Sequence, residues 1–346
     1  MAPEAWHAAQ PLRHLQGKAR AGCRPRRSRD RSGRLGRRYQ AETCKGGIVS
    51  ENSKIEWTDH TFNPWEGCQK VGPGCDHCYA ETRNARFAGG TAINWGPGAP
   101  RRRTSVANWR KPLAWNANHD HFFAEHGRRQ RVFCASLADV FDNAVPDAWR
   151  MDLFKLIADT PHLDWLMLTK RIGNVHSYTQ RDGLAFDLIG DGRVWLGATI
   201  CNQKEADRDI PKLLAVPARV RFLSMEPLLG PVDVFSTITG ELLHVSGNEY
   251  EPGWLDWIIV GGESGPGARP MHPDWARGLR DQCKAGDVPF LFKQWGEWLG
   301  AHQDGAYDHK PIELNATDSS VRVGKKAAGR LLDGAQHDGF PTATIP

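Results

Sequence analysis

The strongest constraint on this chain is a rhythm. Short runs of apolar, β-branched or aromatic residues recur along it: RVFCAS (131–136), DWLMLTK (164–170), VWLGATI (194–200), VRFLSME (220–226), DWIIVGGE (256–263) and PFLFKQW (289–295). Between them lie segments with helical spacing of apolar residues. One covers Pro146–Asp159, with Trp149, Leu153, Leu156 and Ile157 on one face; others cover about 203–214 and 273–286. A first short strand is expected near 61–66, followed by a helix over YAETRNARFA after Cys78. Strands that alternate with helices build a parallel sheet, and six or seven such units build a full or partial βα barrel, TIM-like in plan. No internal sequence repeat is visible.

Polar residues gather where each strand-like run ends. They are Ser136 and Asp139, Thr169-Lys170-Arg171, Thr199 with Cys201 and Asn202, Ser224 and Glu226, Gly261-Gly262-Glu263-Ser264, and Lys293 with Gln294. In βα barrels the carboxyl ends of the strands surround the active site. Any one of these residues alone reads as a loop or cap residue, but six clusters in the same position mark a common mouth.

Charge divides the chain. Residues 1–48 hold 12 Lys+Arg against 3 Asp+Glu, a balance of +9, whereas the remainder has 33 basic and 37 acidic groups. The body is therefore near neutral and does not read as a nucleic-acid binder along its whole length. The basic stretch has few large apolar residues and no apolar h-region, so it reads as a disordered tail and not as a secretory signal. It is either a nucleic-acid arm or sequence upstream of a later start, for instance at Val49. No run of 18 apolar residues exists. Eight cysteines scattered over 346 residues do not form a secreted disulfide pattern, and a cytoplasmic location is expected. The expected organisation is a tail 1–48, a barrel 49–300 with a lid at 89–119 and an excursion at 230–254, and an extension 301–346.

Three of the cysteines fall within eleven residues, in EGCQKVGPGCDHCYAE. Cys68, Cys75 and Cys78 form C-x6-C-x2-C just after the first expected strand, with Gly72, Pro73 and Gly74 able to turn the chain tightly. Such thiolates can converge on one centre. With His77 they would make a tetrahedral zinc site, although adjacent His77 and Cys78 are poorly placed to bind one ion, and there is no second cysteine pair. Three cysteines alone suit a four-iron, four-sulfur (4Fe-4S) cluster with one iron left open. Radical enzymes that cleave S-adenosylmethionine (SAM) hold such a cluster after the first strand of a partial βα barrel. Unliganded thiols are the remaining reading.

Longer motifs narrow the field. SKIEWTDHTFNPWEGCQKVGPGCDHCYAE, WGPGAPRRRTSVANWRKPLAWN, LTKR, VWLGATICNQ, RFLSMEPLLGP, DWIIVGGESGPGARPMHPDW and VPFLFKQWGEW resemble a three-Cys-motif family of phages and bacteria, largely of unknown function and treated as radical-SAM-like. The resemblance spans roughly 53–300 and returns in VGKKAAGRLLDG. It implies a radical-SAM-type barrel with the cluster on Cys68, Cys75 and Cys78, and a separate three-Cys-motif partner protein. The cysteine spacing departs from the ordinary C-x3-C-x2-C radical-SAM motif. Two stretches also depart from the family: Cys201 stands where an acidic residue is expected, and Ala135–Asp139 differs from the usual strand end. Cys201 reads most simply as a small buried residue.

The candidate site follows. Cys68, Cys75 and Cys78 are the metal ligands, with SAM the expected second cofactor and zinc the alternative metal. Glu226, Glu263 and Lys170 are the candidate catalytic residues. Arg171, Gly261, Gly262 and Lys293 are expected to hold the cofactor: the glycines by letting backbone approach it, Glu263 by pairing with an ammonium, Lys170 and Arg171 by binding a carboxylate or phosphate. Arg269 could grip a similar anion. The segment 95–115 carries five basic groups and three tryptophans, which can contact phosphates and stack bases, so nucleic acid or a nucleotide is the leading substrate class. A lid packed by those tryptophans is the simpler account. An electron donor is the remaining partner expected.

Overall fold

The computed structural model describes residues 52–239, 254–300, 302–303 and 319–342, with the backbone of 311–313 in addition. The expected tail 1–48 and most of the excursion, 240–253, lie outside the described residues.

Seven strands form one parallel sheet: β1 (His60–Thr61), β2 (Gln130–Cys134), β3 (Leu163–Thr169), β4 (Val194–Thr199), β5 (Arg221–Met225), β6 (Trp257–Gly261) and β7 (Phe290–Gln294). Each pairs with its successor in the chain. No described pairing returns from β7 to β1, so among the described residues the sheet is a curled half-barrel, the partial form of the expected barrel. Helices connect the strands, including Asp147–Ala158, Gln203–Leu214 and Pro273–Ala285 where the apolar spacing places them. Two further helices, Ile172–Thr179 and Gly183–Gly190, fill the connection from β3 to β4.

Side chains alternate across the strands, and the two sets pack differently. One set, including Val132, Trp165, Leu196, Leu223 and Val260, meets the helices. The other, with Phe133, Leu166, Trp195, Phe222, Trp257 and Leu291, fills the inside. Here the chain needs Gly197, because a Cβ would stand 2.3 Å from the Phe222 ring. The C-terminal segment returns to this core: Trp257 Nε1 donates to Gly339 O at 2.7 Å, and the Phe340 ring lies 5.0 Å from that of Trp257. The apolar floor leaves the opposite, carboxyl end for polar side chains.

The first expected strand, 61–66, is two pieces. β1 joins the main sheet, while Trp65–Glu66 turns away to pair antiparallel with Arg102–Arg103. Pro64 between them has no N–H to donate, which ends the ladder there. Thr104 N donates to Pro64 O at 3.0 Å and ties the ribbon down. In the expected lid, Trp115 stacks on His60 with ring centres 4.1 Å apart, and Trp109 meets Phe62 edge-on. Three of its four arginines are paired: Arg101 with Asp142 at 2.8 Å, Arg103 with Asp152 at 2.7 Å, and Arg102 with Glu66. These two tryptophans pack into the protein and these three arginines have carboxylate partners within it, Arg102 and Arg103 while still partly exposed.

One buried acid at the amino end of β3 makes stability depend on pH. Burial pushes the Asp164 carboxyl up to about 6, against the opposing pull of Arg129, 3.9 Å away. The folded protein binds this proton more tightly than the unfolded chain. The stabilisation is therefore complete below the ordinary carboxylate value and is lost as pH rises through 6. Asp164→Asn is expected to raise stability by up to about 3 kcal/mol at pH 7.5 and to change it little at pH 4. Urea midpoints at the two pH values measure the difference.

Among the described residues no helix is long and apolar enough to cross a membrane.

Candidate metal centre

Cys68, Cys75 and Cys78 lie on one loop at the carboxyl end of the sheet. Its start is fixed where Gly67 N donates to Leu137 O at 3.1 Å and where Cys68 bridges Trp95, with Gly96 N donating to Cys68 O at 2.9 Å. Gly67 has φ +116, and a Cβ there would lie 2.6 Å from Asn94 O, so the position requires glycine. Pro73–Cys75 forms one 3-10 turn, and Cys78 caps the helix Tyr79–Phe87. That helix is tied back to the strand before the loop: Arg83 Nη1 donates to buried Glu66 Oε1 at 2.9 Å. Both ends of the cysteine loop are thus held without a metal.

The middle is held from the other side of the mouth. Glu263, just past β6, has a side chain 5% exposed. Its carboxylate accepts from Arg269 Nε at 2.8 Å, Arg269 Nη2 at 2.7 Å, Arg269 N at 2.8 Å and His77 Nδ1 at 3.1 Å. Arg269 goes on to Asp76 Oδ2 at 3.0 Å and to Pro73 O at 2.8 Å. Burial works against the charge of Glu263, but Arg269 and His77 outweigh it and hold the carboxyl below its ordinary value. The sequence reading cast Glu263 as a receptor for a ligand ammonium and Arg269 as a grip for an anion. In the structure they clamp the cysteine loop. His77, against Gly267 and bonded to Glu263, belongs to the same clamp.

Asp139, after β2, organises the third side. It accepts from Thr169 Oγ1 at 2.8 Å, Lys170 N at 3.0 Å and Arg171 Nη1 at 3.1 Å. Arg171 has a side chain 8% exposed; it donates to Gln69 O at 2.9 Å and approaches Cys68 Sγ at 3.4 Å. Burial opposes its charge, but Asp139, Cys68 and Asp142 keep it firmly protonated. Arg171 therefore faces the cysteine loop, with its charge already matched. Burial, with Asp139 adding to it and Arg171 opposing, pushes the Cys68 thiol up to about 11.

Lys170 is different. Its Nζ reaches only the Thr199 hydroxyl, at 3.4 Å, and among the described residues no carboxylate lies within ion-pair distance. Burial opposes its charge, yet the sulfurs of Cys75, Cys201 and Cys78, with Asp139, hold the ammonium above its ordinary value. It is an unmatched cation among thiols.

Cys201 is buried, as the sequence reading has it, but it is also part of the site. A Cβ on Gly74 would stand 2.3 Å from Cys201 Sγ, so the fourth sulfur rests directly on the cysteine loop. Glu205 Oε2 accepts from Cys201 N at 2.9 Å, and its other oxygen would lie 2.5 Å from a Cβ on Gly72. The signal for Glu205 was legible, since Asn202 followed three residues later by Glu205 is a helix-start pattern, and Asn202 Oδ1 accepts from Glu205 N at 3.0 Å. The contact of Cys201 with the loop had no sequence signal. Lys170, Thr199, Cys201, Glu205 and Gly74 line one narrow cleft.

The remaining expected residues sit at the ends of β5, β6 and β7. Glu226 Oε2 accepts from Lys293 Nζ at 2.6 Å, and its Oε1 from Gln294 Nε2 at 2.9 Å. Burial opposes the charge of Glu226, but Lys293 and Gln294 keep it ionised below its ordinary value. Gly261 packs on Glu226, 3.3 Å from a Cβ, whereas a Cβ on Gly262 would meet Trp295 O at 1.9 Å. Gly262 thus admits a neighbouring backbone in place of the ligand expected there.

Among the described residues no three His, Cys, Asp or Glu side chains stand close enough to share a single metal ion. The thiolates of a 4Fe-4S cluster sit on separate irons and are more widely spaced than the ligands of one ion.

Fold and site together define an α/β half-barrel protein with a clamped three-cysteine loop at its carboxyl mouth. The chain belongs to the family described as "Protein of unknown function (DUF5131)", whose profile matches residues 52–341. No curated protein matches in sequence. The similar solved structures include three of spore photoproduct lyase. One is a mutant with bound AdoMet and dinucleoside spore photoproduct, at 11% identity and TM-score 0.36, covering 77% of this chain and 68% of that one. A second mutant gives 13% identity, a TM-score of 0.39 and coverage of 80% and 72%. A complex with dinucleoside spore photoproduct gives 12%, 0.38, and 82% and 72%. Scores this low carry no argument, and the fold stated above rests on the sheet itself.

Proposed function

We propose that this chain is an iron–sulfur enzyme of the radical-SAM kind, with Cys68, Cys75 and Cys78 as the cluster ligands. The observation that carries this reading is three free thiols on one clamped loop at the carboxyl mouth of an open parallel barrel, with the unmatched Lys170 packed against that loop at Gly74. The residues fit the group: three sulfur ligands suit a cluster with one open iron, and a buried cation offsets its negative charge. When bound, the cluster would supply one electron to SAM, whose sulfur–C5′ bond would break to methionine and the 5′-deoxyadenosyl radical that takes a hydrogen atom from the substrate.

The chain's own residues do the rest. The Glu263–Arg269 clamp and the Glu66–Arg83 tie hold the thiols in place. The apolar floor of Phe133, Trp195, Phe222 and Trp257 closes the far end of the barrel to water. The pair Glu226–Lys293 presents one acid and one base to the inside, where they orient polar groups of SAM or substrate. The substrate is proposed as a nucleotide or nucleic acid. A separate electron donor and a three-Cys-motif partner complete the proposal.

Anaerobic purification followed by iron, sulfide and zinc analysis tests this reading, together with electron paramagnetic resonance of the reduced protein with and without SAM. The expected result is about four irons per chain and a spectrum that SAM perturbs. One zinc and no iron would replace the enzyme by a zinc-stapled barrel that binds nucleic acid or protein. Iron without any response to SAM would leave a redox or sensing protein.

A further inference from the structure

We infer that Lys170 and Arg171 serve the cysteine centre itself, setting its reduction potential, and are not the anion-binding pair their position at a strand end implies. The inference rests on the iron–sulfur reading and deepens it.

Charge matching at the mouth carries the argument. Asp139 and Asp142 are two buried carboxylates. Arg171 lies 3.1 Å from Asp139 and 3.9 Å from Asp142, and Arg101 lies 2.8 Å from Asp142. Two cations therefore balance two anions, and Arg171 has no charge to spare for a ligand phosphate or carboxylate. What it offers beyond its carboxylates goes to the cysteine loop: Nη2 donates to Gln69 O, and Nη1 lies 3.4 Å from Cys68 Sγ. A donor fixed against a ligand sulfur stabilises the more negative, reduced state of an iron–sulfur centre.

Lys170 is left as the uncompensated charge. Its ammonium has the Thr199 hydroxyl as partner, and its Cε stands 3.6 Å from where a Cβ on Gly74 would be, on the loop beside Cys75 and against the Cys201 sulfur. A cation without a counter-ion in a partly buried site costs free energy unless an anion joins it. A cluster held by three thiolates is such an anion. Arg171 thus addresses the Cys68 side of the centre, and Lys170 the side where Gly74 leads into Cys75. Removing either positive influence makes adding an electron harder and lowers the potential.

The experiment is a redox titration of the iron-loaded full chain, followed by electron paramagnetic resonance, in wild type, Lys170→Met, Lys170→Arg and Arg171→Lys. Lys170→Met deletes a charge that no carboxylate needs, so it leaves no buried acid unpaired. It is expected to disfavour reduction at least tenfold, about 59 mV for one electron. Lys170→Arg is expected to stay near wild type. Arg171→Lys keeps the charge but loses the fork, and should show a smaller downward shift. If Lys170→Met fails to retain iron while Lys170→Arg retains it, the charge is again shown to be what the centre needs. A wild-type potential in Lys170→Met, or equal failure of Lys170→Met and Lys170→Arg, overturns the inference. A wild-type protein without iron is a different result: it removes the iron–sulfur reading before these variants are compared.

Discussion

Gly74→Ala is expected to weaken cluster loading roughly tenfold or more, and Cys201→Ala in the same chain is expected to restore it. The added methyl would lie 2.3 Å from Cys201 Sγ, while its next neighbours, Lys170 Cε and Pro227 Cδ, stand at 3.6 Å, an ordinary contact. A single atom therefore blocks the substitution. The sulfur cannot yield easily, because Cys201 is 1% exposed and its backbone N–H is held by Glu205. The loop must move instead, carrying Cys75 with it. Overpacking of this kind costs about 1–3 kcal/mol, enough to lower metal affinity roughly tenfold or more. Iron per chain, measured after identical anaerobic reconstitution, reads the effect. If Gly74→Ala loads as well as wild type, the loop does not need its observed contact with Cys201. If the double variant loads no better, Cys201 is required for more than space.

Glu263→Ala attacks the clamp. It removes the acceptor of four hydrogen bonds and leaves Arg269, whose side chain is 32% exposed, and His77 without their anchor. Losing one partner of a buried pair costs about 3–5 kcal/mol, and partial solvation of Arg269 places this case at the lower end, about 3 kcal/mol. The cost should appear locally as release of the loop. In the metal-free protein, Cys75 and Cys78 are expected to react with an alkylating thiol reagent at least tenfold faster than in wild type. Buried Cys134, inside β2, should be unaffected. The clamp also carries a pH dependence. The folded carboxyl of Glu263 sits below its ordinary value, so its stabilisation is present above that value and is lost as pH falls. Thiol reactivity should therefore rise in acid in wild type, after allowance for reagent chemistry, and not in Glu263→Ala. Equal rates in the two proteins at neutral pH would show that the loop holds itself.

Much of this arrangement is legible before any coordinates. Each strand-like run from 131 to 295 is a strand, displaced by a residue or two at its ends, because alternating and continuous apolar runs bounded by polar residues have few other uses. The polar clusters at strand ends share one mouth for the same reason. The helices Ile172–Thr179 and Gly183–Gly190 escaped because they are short and their apolar residues do not repeat long enough to show a period.

What the amino-acid order determined by itself is therefore the α/β rhythm, the loop of three cysteines just after the first strand, and the set of polar residues that surround it. What only tertiary structure decided is how those residues divide their labour. Glu263 and Arg269 clamp the loop, Arg171 is spent on Asp139 and Asp142, Lys170 is left unmatched, and Cys201 rests on Gly74. The physical reason is that strand order and helix position follow from local periodicity, which a sequence displays. Pairing of charges across 32 to 193 residues of chain depends on which strand ends meet around the mouth, and no spacing in the sequence records that meeting.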